Sequence, residues 1–135
     1  MFPPKKIKYK KLHKKKFSKI KYKKLFLNFG TIGLKALESS FISSFQLKSL
    51  NLILAKKFKR KGKIWYNFSL NMPVTSKPIE VRMGKGIGNL KHWTSYIKAG
   101  SVILEIISNL NFLNIISILK NASVKLALKT KIVYF

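Results

Sequence analysis

The residues that could carry chemistry are few, and cations dominate them. The 135-residue chain has 29 Lys+Arg, 3 Asp+Glu and 2 His, a formal net charge of +26. It contains no cysteine, which excludes disulfides, thiolate zinc sites and cysteine nucleophiles. The acids Glu38, Glu80 and Glu105 are too few for a carboxylate-rich Mg²⁺ or Ca²⁺ site, and no His–Asp arrangement could activate a serine. We therefore expect no enzyme activity, no metal site and no cofactor.

The excess of positive charge indicates a polyanionic partner. Like charges at this density repel one another and destabilise a compact chain, so a polyanion would compensate them. Hydrophobic residues still make up 47% of the sequence, enough for a folded core. The length suits one domain. No segment is expected to span a membrane, because Glu105 and three asparagines interrupt the most apolar stretch, residues 101–119.

Residues 1–25 form the first basic region, in which twelve residues are lysine. Tyr9, Phe17, Tyr22 and several aliphatic side chains are interleaved among the lysines, as in arms that become ordered along RNA. A solvated basic tail is the alternative. The residues that we predict to contact RNA here are Lys5, Lys6, Lys8, Lys10, Lys11, His13, Lys14, Lys15 and Lys16.

A second basic region lies at the end of a predicted helix. The helix starts with the capping-box spacing of Ser43 and Gln46. Apolar residues then recur at intervals of three and four, as on one helix face, at Leu47, Leu50, Leu54 and Phe58. Cations near the C-terminal end favour the helix dipole, and Gly62 is expected to stop the helix. The residues that we predict to contact RNA here are Lys56, Lys57, Lys59, Arg60 and Lys61.

The segment Arg82-Met-Gly-Lys-Gly-Ile-Gly88 is not explained by local structure. Its glycines allow positive φ and a close approach of backbone to a ligand, while Arg82 and Lys85 supply charge. The spacing matches neither a P-loop nor the dinucleotide-binding fingerprint. We predict a loop that contacts phosphate or nucleotide; a plain flexible hairpin tip is the alternative.

Short strands and a second helix account for the rest of the chain. Apolar and aromatic runs predict strands at residues 25–29, 34–37, 63–70, 92–97, 102–106 and 129–134. The second helix is predicted at residues 110–126, and residues 72–78 are interpreted as irregular. The strands before and after Ala99-Gly100 are expected to pair through a turn there. The predicted fold class is α+β, with two helices packed on a mostly antiparallel sheet.

The change in composition near residue 25 predicts the domain organisation. We expect an extended basic N-terminal arm at residues 1–25. A single α+β domain is expected at residues 26–135, with the Gly-rich loop at residues 82–88.

The remaining aromatic and titratable residues of the domain are expected to have structural roles. We expect Trp65, Tyr66 and Trp93 in the core or on a sheet face rather than as base-stacking platforms. His92 is expected at a strand edge, without partners for a metal. Glu105 is expected to pair with a nearby lysine.

Seven segments in order are similar to one known family. They are residues 4–13, 29–36, 61–65, 73–78, 81–86, 89–93 and 125–130. Lys-Ile-Trp followed by Arg-Met-Gly-Lys-Gly at this separation is a far more specific signal than basic charge. The sequence resembles the bacterial-type large-subunit ribosomal protein L sixteen family over nearly its whole length.

This resemblance implies both a fold and a function. It implies an α+β domain that binds large-subunit rRNA and helps form the aminoacyl-tRNA (A-site) region near the peptidyl transferase centre. By position, the loop that reaches toward tRNA would comprise Arg82, Met83, Gly84, Lys85 and Gly86. The implied partners are large-subunit rRNA, A-site tRNA and neighbouring large-subunit proteins, with no membrane and no small-molecule substrate. A basic RNA-binding protein acting outside the ribosome is the alternative.

Composition also bears on where such a protein would work. Lys, Ile, Asn and Phe are abundant, as in proteins from AT-rich genomes. The arm carries lysines at positions 14–16, where the family usually has arginines, and the second predicted helix is rich in Asn and Ile. These features favour a mitochondrial ribosome, with a plastid ribosome as the alternative.

Overall fold

The computed structural model of the chain describes residues 4, 9, 11–13, 26–59 and 61–134. Several predicted RNA-contacting residues therefore lie outside the described residues, namely Lys5, Lys6, Lys8, Lys10, Lys14, Lys15, Lys16 and Arg60. In chain order the described elements are β1 (Ile32–Ala36), β2 (Ser40–Ser43), α1 (Ser44–Phe58), β3 (Gly62–Tyr66), β4 (Met72–Ser76), β5 (Asn89–Ile97), β6 (Val102–Ser108), α2 (Phe112–Ser123) and β7 (Thr130–Tyr134). The predicted α+β class is confirmed.

The described strands form two antiparallel sheets. One sheet has the order β3-β6-β1-β7 and the other the order β2-β5-β4. The predicted pairing of the strands around Ala99-Gly100 is wrong, because β5 and β6 lie in different sheets. Gly100 (φ +83°) turns the chain from one sheet to the other, and its backbone N–H donates to the carbonyl of Ala36 at 2.8 Å.

Two local strand predictions also fail. In the strand predicted at residues 25–29, the described residues 26–29 form no strand, and β4 lies where an irregular stretch was predicted. The second error arose from Pro73, which cannot donate to a strand ladder. Because β4 is an edge strand of the three-stranded sheet, it can accommodate the missing N–H.

Helix α1 begins as predicted but ends differently. The Ser43 hydroxyl accepts from the Gln46 N–H at 3.2 Å, and the Gln46 side-chain oxygen accepts from the Ser43 N–H at 2.9 Å. The helix ends at Phe58, and its C-cap Lys59 takes the left-handed conformation (φ 44°, ψ 42°). Gly62 instead begins β3, where a Cβ would lie 2.7 Å from the Ile107 carbonyl oxygen.

Both helices and both sheets contribute to one hydrophobic core. The apolar face predicted for α1 is buried in it at Leu47, Leu50, Leu54 and Phe58. Trp93 is buried, and Tyr66 is half-buried with its hydroxyl donating to Asn51 Oδ1 at 3.3 Å. Burial raises the pKa of Tyr66 to about 12. Each fully buried Leu or Phe contributes about 1.5–3 kcal/mol to the stability of this core.

Candidate nucleic-acid interface

The Gly-rich loop lies in the segment that connects β4 to β5, and most of this segment is exposed to solvent. Residues 79–87 are all exposed, and Ile79 and Met83 are fully exposed although they are apolar. Their side chains add nothing to the core. The loop thus presents apolar and cationic groups to whatever approaches it.

The tip of the loop has a left-handed backbone. Gly84, Lys85 and Gly86 have φ angles of +101°, +50° and +87°. A Cβ at Gly84 or Gly86 would meet no atom within 4 Å, so backbone conformation and not packing favours glycine there. The Lys77 ammonium donates to the Gly84 carbonyl and ties the tip to the end of β4.

The base of the loop is held by close packing. A Cβ added to Gly88 would collide with the backbone carbonyl of Ser76. Ser76 and Asn89 are paired in the β4–β5 ladder, so Gly88 allows the two strands to meet where the loop leaves them. The loop is therefore presented from a rigid two-stranded base.

One described lysine of the arm contacts this loop. The Lys11 ammonium donates to the Ile87 carbonyl oxygen at 3.1 Å. Leu12 and His13 line a pocket of about 290 Å³, whose other walls are Phe41, Ser43, Gln46, Met72, Pro73, Val74, His92 and Thr94. The two regions predicted separately from the sequence thus meet at the hydrogen bond between Lys11 and Ile87.

His92 does not lie at a sheet edge as expected. It is on β5, the central strand of the three-stranded sheet, and its ring packs against Phe45 with centroids 5.6 Å apart. Its Nδ1 atom is buried and has no hydrogen-bond partner among the residues that the structure describes. Burial, and then the neighbouring Lys91 cation, lower the pKa of His92, so the ring is neutral at pH 7 and adds no charge.

The second basic region is exposed at the end of α1. Lys56 and Lys57 lie in its last turn, Lys59 caps it, and Lys61 precedes β3. All four side chains are exposed. Because these side chains are exposed to solvent, their charge is available to an anion.

Glu105 was misinterpreted from the sequence. It lies on β6 and is fully buried, at 0% exposure. Its Oε2 accepts backbone N–H bonds from Asn28, Phe29 and Gly30 at 2.9, 2.6 and 2.8 Å. Its Oε1 accepts from the Asn67 side-chain amide at 2.5 Å. The expected pairing with a lysine is wrong: the carboxylate anchors the backbone that joins the arm to the domain.

Glycines allow this anchoring segment to lie close to the four-stranded sheet. A Cβ at Gly30 would be 2.7 Å from the Ile106 nitrogen, and one at Gly33 would be 2.6 Å from Leu27 Cδ2. A single acid within the apolar run 102–107 was the available signal for a buried, hydrogen-bonded carboxylate. The backbone partners lie 75 to 77 residues away and Asn67 lies 38 away, so they could not be identified from spacing.

Beside the anchor lies an aromatic pair on the outer side of this sheet. The rings of Phe29 and Trp65 are stacked, with centroids 6.1 Å apart and planes 23° apart. The Lys63 ammonium lies 5.2 Å from the Trp65 ring centroid. Trp65 is half-buried, consistent with the predicted sheet-face position, whereas Phe29 is 61% exposed.

Within the described residues, no group of three His, Cys, Asp or Glu side chains is placed to hold a metal ion. In the same part of the chain, neither helix has the length and apolar character needed to cross a bilayer.

Comparison with known proteins gives one family. The family described as "Ribosomal protein L16p/L10e" matches residues 4–133. The large ribosomal subunit protein uL16 of Protochlamydia amoebophila is 35% identical over 96% of this chain and 93% of that protein. The uL16 protein of Karelsulcia muelleri is 39% identical over 98% and 97%, and uL16c of Cyanidium caldarium is 40% identical over 78% and 76%. The chain therefore belongs to the L16p/L10e family of large-subunit ribosomal proteins.

Proposed function

We propose that this ribosomal protein binds large-subunit rRNA and helps form the A-site tRNA region near the peptidyl transferase centre. The observation that carries the proposal is the exposed loop at residues 82–88, with a left-handed tip and with Lys11 of the arm bonded at its base. Neither feature contributes to the core. Both suit close approach to a phosphate backbone.

The proposed mechanism is electrostatic and positional. Lysines of the arm and of the α1 C-terminus neutralise crowded phosphates and release counterions. The α+β domain supplies the rigid base from which the arm and the loop extend. Its partners are large-subunit rRNA, A-site tRNA and neighbouring large-subunit proteins. It acts by shaping an RNA site and has no catalytic role of its own.

The loop is tested by Arg82→Ala and Gly84→Val. Since neither residue packs against the core, both variants should fold and enter large subunits, while binding of aminoacyl-tRNA and peptide-bond formation fall. Both activities are measured on purified ribosomes and normalised to the occupancy of the protein. Lys48→Ala, which removes one exposed charge from α1, is the matched control. Normal activity of the loop variants at full occupancy would make the loop a passive hairpin tip.

The alternative is a basic RNA-binding protein that acts outside the ribosome. Sedimentation of large subunits distinguishes this alternative from a ribosomal protein. A ribosomal constituent stays with large subunits through moderate salt, whereas a protein held by charge alone is released. Release of the chain from large subunits in moderate salt would favour the alternative.

We place the protein in a mitochondrial ribosome, with a plastid ribosome as the alternative. Bacterial and chloroplast relatives are similarly close to this chain, so the proposal depends on its abundance of Lys, Ile, Asn and Phe. Immunodetection in purified mitochondria and plastids of the source cell distinguishes the two.

A further inference from the structure

Phe29 is an exposed aromatic residue held by a rigid backbone. Its N–H donates to the buried Glu105 carboxylate at 2.6 Å, and the N–H groups on either side bind the same oxygen. Because the anchor uses only backbone atoms of residues 28–30, it leaves the Phe29 side chain free for another role. An exposed ring on a fixed backbone loses little entropy on binding.

The neighbours of Phe29 form a stacking surface with a cation. Trp65 stacks on Phe29, and Lys63 lies over the Trp65 ring. Lys63 and Trp65 lie two residues apart on β3, so they share one sheet face. Strand β3 is an edge of the four-stranded sheet, which leaves this surface accessible from the side.

The charge around this surface favours a nucleic acid over a protein partner. Lys61 and Lys63 are both exposed at the start of β3, in a chain of net charge +26. Aromatic faces combined with nearby cations are the usual means by which proteins hold single-stranded bases, since every base has a π-face.

We propose that Phe29, Trp65 and Lys63 form a platform that stacks one unpaired base of large-subunit rRNA. The platform deepens the proposed function, on which it rests, because it names a part of the RNA that the domain recognises. Phe29 supplies the open ring face, Trp65 supports it, and Lys63 attracts the adjoining phosphate. The platform is separate from the loop at residues 82–88.

The first test measures binding of the full-length chain to deproteinised large-subunit rRNA over a range of salt concentrations. Phe29→Ala should weaken binding about tenfold at every salt concentration without changing the salt slope, because stacking releases no counterions. Phe29→Tyr, which keeps the ring, should bind as the wild type does. Equal affinity of Phe29→Ala and wild type would overturn the platform while leaving rRNA binding intact.

Phe112 provides the matched control. It is a partly exposed phenylalanine in an edge-to-face pair with Tyr134, at 5.4 Å and 87°, so the pair offers no continuous stacking face. Phe112→Ala should leave rRNA affinity unchanged. Thermal melting of each variant checks that the domain is folded. If the wild type itself fails to bind rRNA, the proposed function fails, which is a separate result.

A second test uses assembled large subunits. A benzophenone amino acid at position 29 should crosslink to rRNA on irradiation, whereas the same group at position 112 should give much less RNA crosslink. Subunit occupancy, measured on the same samples, reports the proposed function independently. A crosslink from position 29 only to a neighbouring protein, or none, would contradict the platform.

Discussion

A buried carboxylate is costly unless its oxygens accept hydrogen bonds, and Glu105 accepts four. Burial by itself would raise the pKa of Glu105, but the bonds from Phe29, Gly30, Asn67 and Asn28 outweigh it and hold the pKa below its ordinary value. Glu105 is therefore ionised in the folded domain. Its role is to fix the chain entering the domain against the sheet.

Replacing Glu105 with glutamine should destabilise the domain by about 2–4 kcal/mol, because the three backbone N–H groups lose their charged acceptor and an N–H₂ group faces the Asn67 amide. Urea unfolding of the full-length chain in high salt measures this destabilisation. Glu38→Gln is the control: Glu38 is exposed and accepts one N–H from Lys129, an acceptor that glutamine retains. Similar destabilisation of both variants would show that the buried anchor has no special importance.

The same residue predicts an acid dependence. Because the folded pKa of Glu105 is lowered, its contribution is fully present above the ordinary carboxyl pKa of about 4.3 and is lost as pH falls through the folded value. Wild-type stability should therefore fall on acidification more than that of Glu105→Gln. Parallel pH profiles of the urea midpoint for the two proteins would contradict this assignment.

At the scale of elements, the end of α1 carries a left-handed lysine. The conformation of Lys59 costs an L-residue about 1 kcal/mol that glycine avoids, so Lys59→Gly should stabilise the domain by up to that amount. Lys57→Gly removes the same charge inside the helix and should destabilise it by about 1 kcal/mol. If the cap conformation and not the lost charge sets the stability, the melting temperature should rise in Lys59→Gly and fall in Lys57→Gly.

The base of the Gly-rich loop should be less tolerant of change than its tip. Gly88→Ala forces a Cβ against the Ser76 carbonyl and should cost about 2 kcal/mol or more, while loosening the β4–β5 ladder. Gly86→Ala meets open space, so its only cost is that of the positive φ, about 1 kcal/mol. Unfolding free energies, with amide hydrogen exchange of β4 and β5, compare the two. Equal costs would mean that the base is not closely packed.

At the scale of the whole molecule, the cations and the apolar core occupy different places. Three acids cannot neutralise 29 cations, so the chain needs a polyanion to relieve its self-repulsion. The domain can still fold, because the cations at the end of α1 and in the loop are exposed while the core is apolar. RNA binding should therefore depend on which lysines are removed.

Changing Lys10, Lys11, Lys14 and Lys15 to glutamine should make the log–log salt slope of rRNA binding shallower, by about 0.7–0.9 for each phosphate that is no longer neutralised. The control changes four exposed cations near α2 and β7, namely Lys120, Lys125, Lys129 and Lys131. The control should alter the slope less. An unchanged slope in the arm variant would show that the arm does not neutralise phosphates.

The sequence by itself determined the features that depend on neighbouring residues and on composition. The capping box of Ser43 and Gln46 and the apolar face of α1 involve residues three or four apart, so their pattern carries the geometry. The excess of lysine and the absence of cysteine excluded whole classes of site. The ordered motifs were enough to indicate the family and the α+β class.

Tertiary structure alone decided which distant parts meet. Glu105 and Gly30 are 75 residues apart, and Lys11 and Ile87 are 76 apart. Alternating apolar side chains are expected whether β5 and β6 share one sheet or lie in two. The sequence pattern therefore could not show that they lie in different sheets. Such choices are made when all elements compete to bury apolar surface and to satisfy buried polar groups together, and no local window contains that competition.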